Sequence, residues 1–214
     1  MAYRRTILSG ASEERFDKLI KERLQPGADK DKIDERIWDL FGEEWCIMFT
    51  DLSGFSRGVE KFGIIHFLQT IHESERLLIP VIDEFDGILL KVEGDSFLVI
   101  FKKPYKALNA AIKMQKILKK YNVDKVDEEK VLLCIGLGFG NVLKIGDSDV
   151  FGAEVNAASK LGEDIADAWN ILVTESVKTY IEKYSKNIID TVTFAEISER
   201  PPGAAKAFTV NYNL

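Results

Sequence analysis

Cysteine is scarce: Cys46 and Cys134 are the only two in 214 residues, and each lies inside an apolar, strand-like run. Two such residues make no disulfide framework, and small buried thiols are their ordinary reading. Long apolar runs are missing too, since none approaches the ~20 residues that a membrane-spanning helix needs. The first residues, MAYRRTILSGASEERF, contain the pair Arg4-Arg5 but no apolar block of about 7 residues, so no secretory signal is expected and the chain is read as cytoplasmic. There is no excess of positive charge: 29 Lys and Arg stand against 35 Asp and Glu, a net charge of −6. That balance argues against general affinity for nucleic acid or an anionic membrane. Internal repeats and low-complexity tracts are also absent. What the chain does have is 46% hydrophobic and 30% charged residues, a globular composition with enough apolar material for one large core.

Two amphipathic stretches, residues 13–24 and 31–41, are separated by the breaker Gln25-Pro26-Gly27 and predict a helical hairpin. Phe16, Leu19, Ile20 and Leu24 recur at helical spacing, as do Ile33, Ile37, Trp38 and Phe41, so each helix has a face that needs a cover. Residues 1–42 are therefore read as a helical extension and residues 43–214 as the main domain. From Trp45 onward strands and helices alternate. Residues 45–50 read as a buried strand, and a helix is expected after Asp51-Leu52-Ser53-Gly54-Phe55. Residues 64–85 are helical in period, with Pro80 as a kink or a join. Residues 87–92 and 96–101 predict a hairpin with Glu93-Gly94-Asp95 at its tip. Residues 104–121 read as a helix with Pro104 in its first turn. Residues 131–139 and 142–145 read as strands separated by a hairpin at Gly140-Asn141. A helix over 152–167, a strand over 171–174, a helix over 175–184 and a closing strand pair, 192–197 with 206–212, complete the order. A βαββαβ core implies a ferredoxin-like sheet of the mixed α/β (α+β) class. Helices are expected on one face, with the other free for a ligand or a second subunit.

In that topology the strands ending in Asp51 and beginning after Asp95 are neighbours, so both carboxylates emerge at one end of the sheet. Hard cations such as Mg²⁺ take carboxylate oxygens and keep positions for substrate phosphates, which makes this a phosphoryl-transfer layout. Ser53, Gly54 and Phe55 add backbone N–H groups at a helix start, where a polyphosphate is attracted. The bland alternative is a helix cap at Asp51 and a turn residue at Asp95. His66 and His72 are six residues apart, off the spacing of a helical metal pair, and read as structural or surface residues. Gly136, Gly138 and Gly140 alternate as small residues on one strand face rather than forming a phosphate loop. Glu163-Asp164 and Lys116, Lys119 and Lys120 read as solvated helix faces.

Three segments are similar to a known family. Phe49-Thr50-Asp51-Leu52-Ser53-Gly54-Phe55 resembles the first metal motif of the class III nucleotidyl cyclases, the adenylate and guanylate cyclase catalytic domain. Lys91-Val92-Glu93-Gly94-Asp95 resembles the second metal motif, and Asp149-Val150-Phe151-Gly152 with Val155-Asn156-Ala157-Ala158-Ser159-Lys160 the third. The order and spacing agree over residues 45–212. The resemblance implies that Asp51, Asp95 and the carbonyl of Leu52 hold two Mg²⁺ or Mn²⁺ ions, and that the ribose 3′-hydroxyl attacks the α-phosphate and expels pyrophosphate. It implies that Lys91 and Asp149 read the base, a pattern that suits ATP, and that Asn156 orients the ribose. Lys160 stands where the family carries an arginine against the α-phosphate. Lysine keeps the charge but lacks the planar fork. Arg200 is the nearest match to the lysine that contacts the terminal phosphates. The family's sites lie between two subunits, so a homodimer is implied. A GTP or pyrimidine triphosphate cyclase, and a weakly catalytic nucleotide-binding or dimerisation module, are the alternatives.

Overall fold

The computed structural model describes residues 11–53, 62–185 and 191–213. Helices α1 (Ser12–Arg23) and α2 (Lys30–Phe41) form the expected hairpin, turning at Gly27, whose φ of 76° is a left-handed conformation that glycine adopts without strain. Arg23 grips Asp34 through two bonds, of 2.6 and 3.0 Å, and Arg36 meets Glu22 at 2.6 Å. Asp29 caps α2 by accepting from the Lys32 N–H at 3.2 Å. Leu19, Ile33, Ile37 and Phe41 are buried in one cluster with Ile145. Leu24 and Trp38, expected on the covered faces, are instead exposed, so the buried stripes are narrower than the apolar periodicity suggests.

Helix α2 runs directly into strand β1 (Gly42–Leu52). Helix α3 (Ile64–Glu84) contains Pro80 within its length, and β2 (Ile88–Glu93) and β3 (Ser96–Phe101) form the hairpin whose turn carries Gly94 and Asp95. Helix α4 (Pro104–Tyr121) leads to β4 (Leu133–Ile145), then β5 (Asp149–Phe151), α5 (Ala153–Ser159), β6 (Ile171–Thr174), α6 (Glu175–Tyr184), β7 (Val192–Glu196) and β8 (Ala207–Tyr212). The helix expected just after Phe55 falls outside the described residues. The sheet order is β2-β3-β1-β4-β6-β8-β7, with β5 on β4. Among the described residues only β4 and β6 pair in parallel. The first four strands have the order that a ferredoxin-like βαββαβ core requires, and the fold is mixed α/β as expected.

Side chains of β1 alternate between two apolar layers. Cys46, Met48 and Leu52 belong to the main core with α3, α4 and α6, whereas Trp45 and Ile47 join Leu98, Ile100, Val142 and Val150 on the other side. Helix α5 lies on this second face through Val155 and Ala158, so the helices are not confined to one face. Glycines make that approach possible. A Cβ on Gly136 would lie 2.2 Å from the Ala158 carbonyl oxygen, and one on Gly138 would lie 2.3 Å from that of Glu154. The alternating glycines are thus a docking groove for a helix on the strand's bare side.

Two expectations about this region are corrected. No hairpin forms at Gly140-Asn141: β4 continues unbroken, with Gly140 opposite Trp45 and Asn141 opposite Glu44. The reversal comes after Ile145, where Gly146 supplies the left-handed φ of 61° and β5, unforeseen from sequence, turns back. The helix expected over 152–167 is α-helical only to Ser159 and then widens to a π-helical turn (Lys160–Ile165), marked by the Ala166 N–H donating to Leu161 at 2.9 Å. Gly162 in this turn abuts the Phe49 carbonyl, and the wider winding lets the backbone settle there without a side chain in the way.

Candidate active site

The register of β1 against β3 sets the acidic pair. Thr50 is opposite Phe97, and the buried Thr50 hydroxyl accepts from the Phe97 N–H at 3.1 Å, which pins the ladder one residue before Asp51. Ser96 then donates its hydroxyl to Asp51 Oδ1 at 3.2 Å. Asp95 lies in the β2–β3 turn beside the end of β1, close enough for its charge to act on the Asp51 carboxyl, and the Leu52 N–H lowers both carboxyls. Burial pushes the Asp51 carboxyl up to about 6, and the charge of Asp95 adds to this, while the Ser96 hydroxyl opposes it. Burial also raises Asp95, against the support of the Asp95 and Leu52 N–H groups. Asp95 Oδ2 is buried and has no hydrogen-bond partner among the described residues.

Among the described residues neither aspartate has an ion pair, and no group of three or more His, Cys, Asp and Glu side chains converges on a metal position. The donor set still fits a hard divalent cation. It offers two partly buried carboxylates that repel each other, an orphaned carboxylate oxygen, and the backbone of Leu52 at their side. Beside the pair, the Cys134 thiol is pushed up to about 12 by burial and by the Asp51 charge, which keeps it a neutral thiol.

The second cluster crosses the same sheet face. Lys91 on β2 donates to Asp149 Oδ2 on β5 at 2.5 Å, and Asp149 Oδ1 accepts from the Val150 N–H at 2.9 Å. The Asp149 hydrogen bond is the main cause holding the Lys91 ammonium above its usual range. These residues line a cavity of about 110 Å³ with Phe49, Ser96, Val155 and Glu163. Ser96 is the link between the two clusters, since it lines this cavity and donates to Asp51, which does not line it. Ser96 and Glu163 were missed in the sequence. Ser96 is a small polar residue directly after the acidic turn. Glu163 is exposed but lines the cavity, and its charge adds to the rise of Asp51; the widened turn after Lys160 brings it there, which helical periodicity does not reveal.

Other sequence candidates fall elsewhere. The Ser53 N–H is not free for a phosphate, because it extends the β1–β4 ladder by donating to the Leu132 carbonyl at 2.8 Å. Gly54 and Phe55 lie outside the described residues. Asn156 and Lys160, four residues apart, are both exposed on α5 and its continuation, and Lys160 is paired with Asp164 at 2.7 Å. Arg200 is exposed in the loop between β7 and β8. His66 is structural, its Nε2 bonded to the Glu128 carbonyl at 2.6 Å. A larger cavity, of about 600 Å³, lies around Glu154, Tyr180 and Gly203, and none of the sequence candidates lines it.

A family profile described as "Adenylate and Guanylate cyclase catalytic domain" matches residues 42–210. The "Putative adenylate cyclase 3" of Rhizobium meliloti is 26% identical over 136 residues, covering 64% of this chain and 23% of that protein. "Serine/threonine-protein kinase pkn2" of Myxococcus xanthus is 31% identical over 133 residues, covering 61% of this chain and 16% of that protein. The matched region thus spans about a quarter or less of these relatives. Among solved structures, an adenylate/guanylate cyclase/hydrolase from Silicibacter pomeroyi superposes with a TM-score of 0.64 at 24% identity, covering 79% of this chain and 95% of that one.

Proposed function

The chain belongs to the adenylate and guanylate cyclase catalytic domain family, and from that premise we propose that it converts ATP to 3′,5′-cyclic AMP and pyrophosphate at a site shared by two copies of the chain. The observation that carries this reading is the acidic pair: the Asp95 charge acts on Asp51, and among the described residues the pair has no counter-charge and Asp95 Oδ2 has no hydrogen-bond partner. Such a pair is unfavourable on its own and favourable around cations. Mg²⁺ or Mn²⁺, when bound, supplies charge neutralisation for the triphosphate and acidifies the ribose 3′-hydroxyl.

The chain's own groups do the rest. Asp51 and Asp95, with the Leu52 carbonyl, anchor the phosphate end. Ser96 fixes the orientation of the Asp51 carboxylate by donating to Oδ1. Lys91 donates to the N1 acceptor of adenine and Asp149 accepts from its N6 amino group, a donor-acceptor order that guanine reverses. Their mutual bond holds both side chains in place before the base arrives. Asn156 on α5 and Lys160 just after it are exposed, and with Lys91 and Asp149 they serve the triphosphate held by the metal aspartates of the second copy: Asn156 orients its ribose and Lys160 faces its α-phosphate. In the reaction a bond forms from O3′ to the α-phosphorus, the bond to the bridging oxygen of pyrophosphate breaks, and the hydroxyl proton is released.

The ion pair of Lys160 with Asp164 favours a second reading, a nucleotide-binding module of low turnover, because it draws the one family-positioned cation of α5 toward a local carboxylate. Incubation of the purified protein with ATP, GTP, CTP and UTP separately, with Mn²⁺ and product identification by mass spectrometry, separates the two. Cyclic AMP that disappears in Asp51→Asn and Asp95→Asn is expected. Equal background in all three proteins, with nucleotide still bound, would establish the module instead.

A further inference from the structure

Strand β5 has three residues and a single partner strand, β4. So short a ladder has little stability of its own. Yet β5 begins with Asp149, the residue that meets Lys91 at 2.5 Å. One anchor is Val150, buried against Trp45, Val142 and Val155 on the sheet face. The other comes from outside the sheet. Ile145, the register partner of Asp149, is buried among Leu19, Ile33, Ile37 and Phe41 of the α1–α2 hairpin. At the turn between them, the Ser148 hydroxyl donates to Glu13 Oε1 at 3.3 Å and is also within 3.3 Å of the Ile145 carbonyl. The Glu13 carboxylate sits so close over Gly146 that a Cβ there would lie 2.6 Å from it. Helix α1 thus grips the turn one residue before Asp149.

We propose that the α1–α2 hairpin positions Asp149 for base recognition: by holding the β4–β5 turn it sets where this carboxylate stands against Lys91, so the purine preference of the site depends on Glu13 and Leu19, which touch no nucleotide. The inference rests on the reading of Lys91 and Asp149 as the base-recognition pair. Glu13 and Leu19 are positioning residues, and α2 transmits the grip rigidly because its last turn passes into β1 without a linker. Gly42 closes that junction, its N–H donating to the Trp38 carbonyl, with no room for a side chain.

The test uses the full chain as wild type, Glu13→Ala, Leu19→Ala and Asp149→Asn. Amide hydrogen exchange over residues 146–151 is measured without nucleotide, and the ratio of kcat/KM for ATP to that for GTP is measured with Mn²⁺. Competition of the two nucleotides against a fluorescent ATP analogue replaces the ratio if turnover is slow. In Glu13→Ala and Leu19→Ala, exchange over 146–151 is expected to rise about tenfold with β6 unchanged, and the ATP:GTP ratio to move toward that of Asp149→Asn, through KM more than kcat. If Leu19→Ala does not fold, Glu13→Ala decides alone. If Asp149→Asn changes the ratio while the helix variants leave either the ratio or the exchange at the wild-type value, the base-recognition pair stands and this inference falls. If Asp149→Asn itself leaves the ratio unchanged, the base-recognition reading fails and the inference fails with it.

Discussion

The two charged clusters on this sheet face are built on opposite principles. Lys91 and Asp149 satisfy each other across β2 and β5, whereas Asp51 and Asp95 face one another with a serine and a backbone amide as their main support. The first cluster is satisfied within the chain and, on the proposed function, exchanges one hydrogen bond for others when a base arrives. The second stores electrostatic repulsion that a bound cation relieves. Preorganisation favours selectivity in the one, and an uncompensated charge favours ion capture in the other.

The sharpest way to break this contrast is to remove a charge from the acidic pair. Asp51→Asn or Asp95→Asn is expected to lower cyclase turnover by about 1000-fold, and to raise the melting temperature of the cation-free protein by roughly 2–4 °C as repulsion is removed. Loss of activity with a loss of stability would mean that the pair contributes to the fold rather than opposing it. The complementary change in the satisfied cluster, Asp149→Asn, is expected to shift the ATP:GTP ratio of kcat/KM by roughly 5- to 30-fold, because a mispaired polar edge costs about 1–2 kcal/mol. It is also expected to destabilise the cation-free protein, the opposite sign to the Asp51 variant. Melting curves of the two variants side by side check that sign directly.

pH sharpens the comparison further. Burial and the Asp95 charge raise Asp51 from 3.8 to about 6. Between those values the native state keeps a proton that the unfolded chain has released, so this group's contribution to stability falls as pH rises from about 4 to about 6. Wild type minus Asp51→Asn, melted in EDTA across that window, should show the decline. Added Mn²⁺ should abolish it, since a cation favours the charged form. The smallest expected effect is at Lys160: Lys160→Arg should raise kcat about tenfold by restoring a planar two-donor contact, with KM nearly unchanged. Unchanged turnover would show that lysine suffices at residue 160 or that this residue does not reach the phosphate.

Legibility from sequence followed the range of the forces involved. The amphipathic hairpin, the β2–β3 turn with Asp95 at its tip, α4 with Pro104 at its start, and the closing strands all follow from short-range periodicity and turn chemistry. The error at Gly140-Asn141 arose because a glycine serves two purposes that look alike in sequence. Gly140 and its neighbours make room for α5, while Gly146 supplies the left-handed turn, and only the packed helix tells them apart. The same packing hid the π-helical turn, Glu163 beside the cavity, and strand β5 itself.

Residue order alone determined which chemistry was available: two carboxylates at strand ends, a lysine and an aspartate at motif positions, and a lysine where the family carries an arginine. Local propensity and motif spacing suffice for that, because each depends on near neighbours along the chain. The tertiary structure decided which of these groups meet. The β1–β3 register brings Asp51 to Ser96 and Asp95, the reversal at Gly146 brings Asp149 to Lys91, and the extension of the ladder ties up the Ser53 N–H. Those outcomes depend on contacts between residues tens of positions apart, whose geometry is fixed by the close packing of the whole sheet against its helices.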